Sequence, residues 1–522
     1  MRDTEMIDCT QSTNCLFTSS KQSFFELTLH LSSGETMIMK HSTVENIITS
    51  DGRELLRRLF EEHIGLRNIG DVGDGIIGAD GIMRTHKKVR KRFLICVFGK
   101  IVIERLGYGA RGHSIIFPKD AILNLPAESY SHGIRKIVAQ EAAKNSYDEV
   151  VLSVKQITGV SLPKKTAEML AHKAAMDFDA FYAKKDAPKT QQDPTLLILT
   201  TDGKGVVMRK EDLREATRKK AESTKHKLQK RKSKGEKANA KRMATVASVY
   251  NIDRFIRTPE EIVREMKSTD SPIPRPRPIN KRVWASIEKT SEKVTAEIFD
   301  EALKRDPQKK TKWVFLVDGC PKQLKRIQTI AKKKEINITI IMDIIHVIEY
   351  LWKASRVFYE ESSPEAERWV SDRLLLILHG KAPQVAAGIR RSATLRKISN
   401  QKRIPIDKCS GYLLKNKLYL KYHLYLKQGL PIATGIIEGA CRHLIKDRMD
   451  VTGARWSLKG AEAIVKLRSL RSSRDFEDYW KFHEEQEYIR NHQSLYGDPT
   501  VLDRLKQSTL TQPSGLYEKS SP

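Results

Sequence analysis

Long apolar runs are missing from this 522-residue sequence. No window approaches eighteen consecutive apolar residues, the length a helix needs to cross a bilayer. The first fifteen residues, MRDTEMIDCTQSTNC, contain neither the basic nor the apolar segment of an export signal, so a soluble, cytoplasmic protein is expected. Cysteine is scarce as well. Cys9, Cys15, Cys96, Cys320, Cys409 and Cys441 form no CxxC pair and have no histidine nearby at zinc-finger spacing, which argues against disulfides and against a structural zinc. No repeat of solenoid length is visible. Negative charge is the remaining shortage. Asp and Glu total 64 against 94 Lys and Arg, a formal net charge of +30. Such a chain suits a polyanion, which is either nucleic acid or an anionic membrane surface. The lack of apolar runs favours nucleic acid. Apolar residues, at 39%, suffice for folded domains, and the length implies about three to four of them.

Residues 1–125 read as an N-terminal α+β region. FFELTLHL and RFLICVFGKIVIERL are strand-like, the latter with the alternation of a small sheet or β-ribbon, and GRELLRRLFEEHIGL is an amphipathic helix. Residues 126–190 read as a helix-turn-helix-like DNA-binding unit. Ile134, Ile137 and Val138, then Val150, Val151, Val154 and Ile157, recur at helical spacing. Gly159 suits the left-handed residue of a tight turn, and Pro163 suits the first turn of a third helix. Lys164, Lys165, His172 and Lys173 on that helix are candidates for phosphate or base contact. An ordinary three-helix bundle is the alternative.

Residues 191–345 alternate strands and helices around a basic loop at 210–242, a solvated charge run able to add non-specific phosphate affinity. TLLILTTDGKGVVMR holds a strand that meets Asp202-Gly203, the signal of a two-residue hairpin. RMATVASVYNIDRF reads as another strand and SPIPRPRPINK as a connector. KRVWASIEKTSEKVTAEIFDEALKRD reads as one helix with Trp284, Ile287, Val294, Ile298 and Ala302 on its apolar face. Two apolar runs then end near Asp318 and Asp343. Residues 346–430 read as an all-helical insertion, 431–475 as the last part of the same core, and 476–522 as a polar tail.

The order strand, strand, strand, helix, strand, strand is that of a ribonuclease H-like α/β fold. In it Asp202 and Asp318 would stand side by side on central strands, and a later helix would supply a third acid, Glu438 in GIIEGACRHL. Three converging carboxylates suit Mg²⁺, which prefers hard oxygen ligands, and two such ions about 3.5–4 Å apart can activate the attacking oxygen and stabilise the leaving one. Each residue also has a plainer reading. Asp318 could start a turn before Gly319. Asp343 could cap the helix beginning at Ile344, or be the second acid in place of Asp318. His346 could pack in a core or orient a carboxylate, and Glu438 could pair with Arg442 one turn on. Arg442, His443, Lys446 and Arg448 are candidate phosphate contacts, while Trp456 either packs the core or stacks on a displaced base.

The segments LTTDGKG, WVFLVDGC, DIIHVIEYLWKA and GLPIATGIIEGACRHLIKDRMDVTGARW resemble the blocks of DDE transposases from bacterial insertion sequences, particularly the ISKra group. IIFPKDAILNLPAESYSHGIRKIVAQEAA and TGVSLPKKTAEML upstream are similar to that group too, so the resemblance spans roughly residues 80–480. It implies Asp202, Asp318 and Glu438 as catalytic acids and metal ligands, with Mg²⁺ or alternatively Mn²⁺. It makes Asp343 and His346 a DxxH pair lying behind them. It further implies double-stranded DNA as partner, both element ends and target, a homodimer or larger assembly on that DNA, and association with the nucleoid. Strand transfer comes from the resemblance; the acids alone imply phosphodiester hydrolysis. A nuclease or resolvase of the same fold, and a catalytically silent DNA-binding derivative, are the alternatives.

Overall fold

The computed structural model describes residues 16–188, 196–223, 239–267, 274–433, 435–451, 453–498 and 500–510. Cys9, Cys15, the middle of the basic loop, part of the proline-rich connector and the end of the C-terminal region lie outside them. The chain is mixed α/β and divides into two compact units, residues 1–177 with 477–522, and residues 178–476. No helix among the described residues is long and apolar enough to cross a membrane.

The first unit begins with helices α1 (Thr18–Leu31) and α2 (His41–Leu66). FFELTLHL, read as a strand-like run, lies inside α1. Local pattern loses to a distant contact: the Glu62 carboxylate on α2 accepts the amides of Ser19 and Ser20 (2.8 and 3.0 Å), satisfying donors that a helix start leaves open. Strands β1 (His86–Cys96) and β2 (Gly99–Gly109) form the expected antiparallel ribbon, paired from Cys96↔Gly99 to His86↔Gly109. At its hairpin end Leu94, Cys96, Ile101 and Ile103 pack with Ile64 and Leu125. Helices α3 (His132–Ala142), α4 (Tyr147–Thr158) and α5 (Lys164–Ala174) follow. Ser146 and Glu149 form a capping box on α4, and Gly159 ends that helix at φ 73°, a left-handed conformation that glycine adopts without strain.

The second unit is built on one five-stranded sheet of β3 (Leu196–Val207), β4 (Lys241–Ile252), β5 (Ile279–Ser286), β6 (Lys312–Val317) and β7 (Ile338–Met342), in the order β5-β4-β3-β6-β7. β3 is antiparallel to β4, β4 to β5, and β6 and β7 run parallel to β3 and to each other. The unbroken apolar runs of β3 and β6 are those of strands covered on both faces; Leu196 to Leu199 and Trp313 to Val317 are all buried.

Two expectations for this sheet change. Asp202-Gly203 is not a hairpin, because β3 continues through it, with Asp202 opposite Val246 and Gly203 opposite Thr245. Unbroken pairing with β4 satisfies the backbone on both sides of the Asp-Gly step, and the reversal comes after Val207. The second change concerns KRVWAS, which belongs to β5 and not to the following helix. That helix, α6 (Ser291–Arg305), starts at the Thr290 cap. The strand end is held from a distance: the Glu462 carboxylate accepts the Ser286 hydroxyl and the Ile287 amide, both at 2.7 Å.

After α7 (Pro321–Lys333), helices α8 (Ile344–Ser355), α9 (Pro364–Leu378), α10 (Ala382–Leu395) and α11 (Asn400–Lys415) occupy the region read as a helical insertion. Helix α12 (Gly435–Ala440) then leads into one π-helical stretch, Cys441–Lys446, and α13 (Leu458–Ser472) packs against β5. The chain returns to the first unit as α14 (Phe476–Asn491) and α15 (Thr500–Leu510), where a loose tail was expected. Polar residues misled here because several of them are buried: Glu487 binds the wholly buried Arg135, and His483 and Arg490 bind Asp177 (2.7 and 2.8 Å).

Candidate active site

The parallel half of the sheet sets three aspartates in a row. Thr200 pairs with Leu316, so the same register two residues further on brings Asp202 level with Asp318. Val317 pairs with Met342, and one step further Asp318 is level with Asp343, whose amide donates to the Val317 carbonyl (2.8 Å). The row falls where β6 and β7 end and their chains turn into helices, while β3 runs on. Asp318 accepts the Cys320 amide (3.0 Å) as the chain enters α7. Gly319 between them has φ 93°, and a Cβ there would lie 2.9 Å from the Tyr412 ring, so the turn needs glycine. Tyr412 in turn donates its hydroxyl to the Asp318 carbonyl (3.1 Å) and stacks on Tyr350. Asp343 is buried and caps α8, accepting the Ile345 amide at 2.9 Å.

Glu438 reaches this row from α12, which packs against β3 and β4. Its carboxyl is held above the usual range, first by partial burial, then by the negative charge of Asp343, with Glu349 and Asp202 adding and His346 opposing. Asp343 is therefore the aspartate whose charge bears most on Glu438, while Asp318 is the register neighbour of Asp202. Arg442 does not pair with Glu438; its guanidinium lies 3.5 Å from Asp447. His346, one-third exposed, stands 3.9 Å from Glu349.

One contact was not anticipated. The Cys441 thiol, three residues after Glu438, donates to the Asp202 carboxylate at 3.2 Å, while the other oxygen of Asp202 accepts the Gly203 amide. Burial, with Asp202 adding, pushes this thiol well above its ordinary pKa, so it is a neutral donor. The sequence signal was the i, i+3 spacing in EGAC, which sets Cys441 on the side of the helix that carries Glu438. The π-helical stretch starts at this cysteine, and such irregularities are frequent at functional sites.

Carboxylate oxygens are the donors that Mg²⁺ and Mn²⁺ prefer, so the chemistry of the donor set fits a hard divalent cation. The uncompensated charge around Glu438 also fits one. Among the described residues, however, no group of three or more His, Cys, Asp or Glu stands close enough to hold a metal ion. Asp202 is engaged with Cys441 and Asp343 with the start of α8, and both would have to turn to share one.

No protein-family model matches the sequence, and no curated protein matches it. Among solved structures, the Drosophila P element transposase strand transfer complex aligns with 73% of this chain and 92% of that chain, at 10% identity and a TM-score of 0.22. A likeness at that level carries no argument about either fold or function.

The residues expected to contact DNA divide. Arg442 and Lys446 are exposed on the π-helical stretch, as is His443, which lies 3.1 Å from Asp447. Arg448 and Trp456 are buried, with the guanidinium 4.8 Å from the indole ring and the indole N–H donating to the Met449 carbonyl (3.2 Å). The Trp456 backbone is tied to Val207 and Arg209, so Trp456 takes its packing role and neither residue is open to DNA. In the first unit Lys165 is exposed, Lys164 is exposed but bridged to Asp148 (2.6 Å), Lys173 is bridged to Glu128 (2.8 Å) and His172 is half-buried.

Proposed function

We propose that this chain is a DNA transposase of the DDE type, resembling those of the ISKra group of bacterial insertion sequences, with a ribonuclease H-like core. The observation that carries the reading is the row Asp202, Asp318, Asp343 across three adjacent parallel strands, faced by Glu438 from a later helix. The strand order β5-β4-β3-β6-β7, with α6 between the third and fourth strands in sequence, supports the core assignment. Asp202, Asp318 and Glu438 would hold Mg²⁺ or Mn²⁺, and Asp343 would either back them or replace Asp318. When bound, the cation supplies Lewis acidity for attack on a phosphodiester.

The chain's own residues do the rest. Asp202 gives up the Cys441 hydrogen bond to present both oxygens. Glu438, its proton affinity raised by partial burial and then by its acidic neighbours, would give up its proton to hold the cation. His346 and Glu349 hold the charge balance of that corner. Arg442 and Lys446, one and two turns beyond Glu438, bind phosphates of the DNA strand. The partners would be the element's terminal repeats and a target duplex, bound by a homodimer or larger assembly at the nucleoid.

A second reading, a catalytically silent DNA-binding derivative, is favoured by one observation: the acids are not gathered within reach of one ion. The two separate in a nicking assay on a supercoiled plasmid carrying the DNA that flanks the gene. The wild type should nick it in Mg²⁺. Asp202→Ala, Glu438→Ala and whichever of Asp318→Ala and Asp343→Ala removes the second acid should each lose more than about 100-fold, the upper end for a supporting residue, while His346→Ala should lose about 10- to 100-fold. No nicking by the wild type, with DNA binding intact, would establish the silent reading.

A further inference from the structure

The β1–β2 ribbon of the first unit carries positive charge for which the acid site has no use. Six successive residues of β1, His86 to Lys91, are exposed, although a strand covered on one face hides every second residue. Lys87 is bridged to Asp71 (3.1 Å) and Lys91 to Glu104 (3.0 Å). Among the described residues Lys88 and Arg90 have no acidic partner, and neither has the exposed Arg111, two residues past the end of β2 where Gly109 pairs with His86.

The charge is also crowded. Arg90 stands directly opposite Arg105 across the ladder, and Arg92 follows Arg90 on the same face. Arg92 and Arg105 both bind one carboxylate, Asp120. Like charges placed opposite each other destabilise a strand pair. Burial pulls the Arg105 guanidinium below its usual range, Asp120 opposes, and Arg92 and Arg90 pull it down further. Protecting a sheet edge from unwanted pairing takes a lysine or two. It does not account for three arginines grouped on one face of the ribbon with a single carboxylate, Asp120, that binds two of them.

We propose that this ribbon is a separate contact for duplex DNA, in which Lys88, Arg90 and Arg111 bind backbone phosphates. The proposal rests on the reading that the protein acts on DNA, and adds a binding element that neither the acids nor the helix-turn-helix-like unit contains. A two-stranded ribbon is one of the elements that the roughly 12 Å major groove admits. Lys88 and Arg90 are alternate residues about 6.8 Å apart along the strand, the rise of two base steps at about 3.4 Å each. An anionic membrane is the other surface that such charge could meet, and the test includes it.

The test uses the full-length protein and a fluorescent duplex of random sequence, titrated by anisotropy over a series of salt concentrations. The triple variant K88Q/R90Q/R111Q keeps polar side chains at exposed positions; its circular dichroism should match wild type, and its melting temperature should equal or slightly exceed it, because R90Q relieves the repulsion across the ladder from Arg105. Each phosphate contact contributes about 0.9 to the slope of log K against log salt, so the triple variant should bind at least about tenfold more weakly at low salt with a slope shallower by about 2 to 3. A single variant, R90Q, should shift the slope by about 1. Unchanged affinity and slope in a folded triple variant would overturn the proposal. So would loss of binding to phosphatidylserine vesicles with DNA binding intact. Ribbon-dependent DNA binding by a wild type that never cleaves would sink the transposase reading and leave this one standing; cleavage and binding indifferent to the triple variant would do the reverse.

Discussion

Glu438 is the residue at which charge and geometry meet. Its carboxyl titrates above the ordinary range because partial burial disfavours the charged form, and the negative charges of Asp343, Glu349 and Asp202 add to that. A carboxyl whose folded pKa is raised contributes stability that is fully present below the unfolded value, about 4.3, and is lost as pH rises through the folded value. Glu438→Gln removes the ionisation. In metal-free buffer near neutral pH the variant should melt about 1–2 °C above wild type, the scale expected for a solvent-screened repulsion of under ~1 kcal/mol, and the gap should close in acid. Adding Mg²⁺ should raise the melting temperature of wild type more than that of the variant. A variant that melts lower than wild type at neutral pH would contradict the account. The acids themselves were legible in the sequence, since each ends or follows an apolar run or sits among small residues. Their engagement was not, because the Cys441 hydrogen bond to Asp202 and the effect of the Asp343 charge on Glu438 join residues far apart in the chain, set by where helices cross the sheet.

At the level of elements, the misread segments share one cause. FFELTLHL reads as a strand-like run but is a helix capped by Glu62, and KRVWAS fits a helical face but is an edge strand held by Glu462. In both, a carboxylate from another element satisfies backbone donors, which a local window cannot display. The parallel strands were legible because a run buried on both faces is apolar throughout. The C-terminal helix α14 was hidden by its buried ions. Arg135 is wholly buried between Glu487 and, at 3.3 Å, Glu128, so breaking the Glu487 pair leaves its charge partly compensated and costs about 2–3 kcal/mol, below the roughly 3–5 kcal/mol of a buried charge left alone. Glu487→Ala should therefore lower the stability of the first unit by about 2–3 kcal/mol in chemical denaturation. A loss below about 1 kcal/mol would mean that the pair behaves as a surface bridge does. Asp177, held at about 2 by His483 and Arg490 in spite of burial, gives the same unit an acid limit. Its contribution should persist above the ordinary carboxylate range, near 3.9, and disappear as pH falls toward 2, followed by circular dichroism.

For the whole molecule, a net charge of +30 and a sheet carrying its acids in one row divide the labour. Binding should come from the basic surfaces, and cutting from the acids. Removing divalent cations with EDTA should therefore abolish cleavage and leave DNA affinity within about twofold, because phosphate contacts follow salt and not the metal. Loss of both together would mean that the cation holds the DNA. The most direct measurement is made on Asp202→Asn, which keeps the size of the side chain and its acceptor for the Gly203 amide while removing the charge. Cleavage rate and DNA affinity should be read on the same sample in Mg²⁺. The account predicts wild-type affinity with cleavage down by more than about 100-fold. Cleavage at the wild-type rate would contradict it.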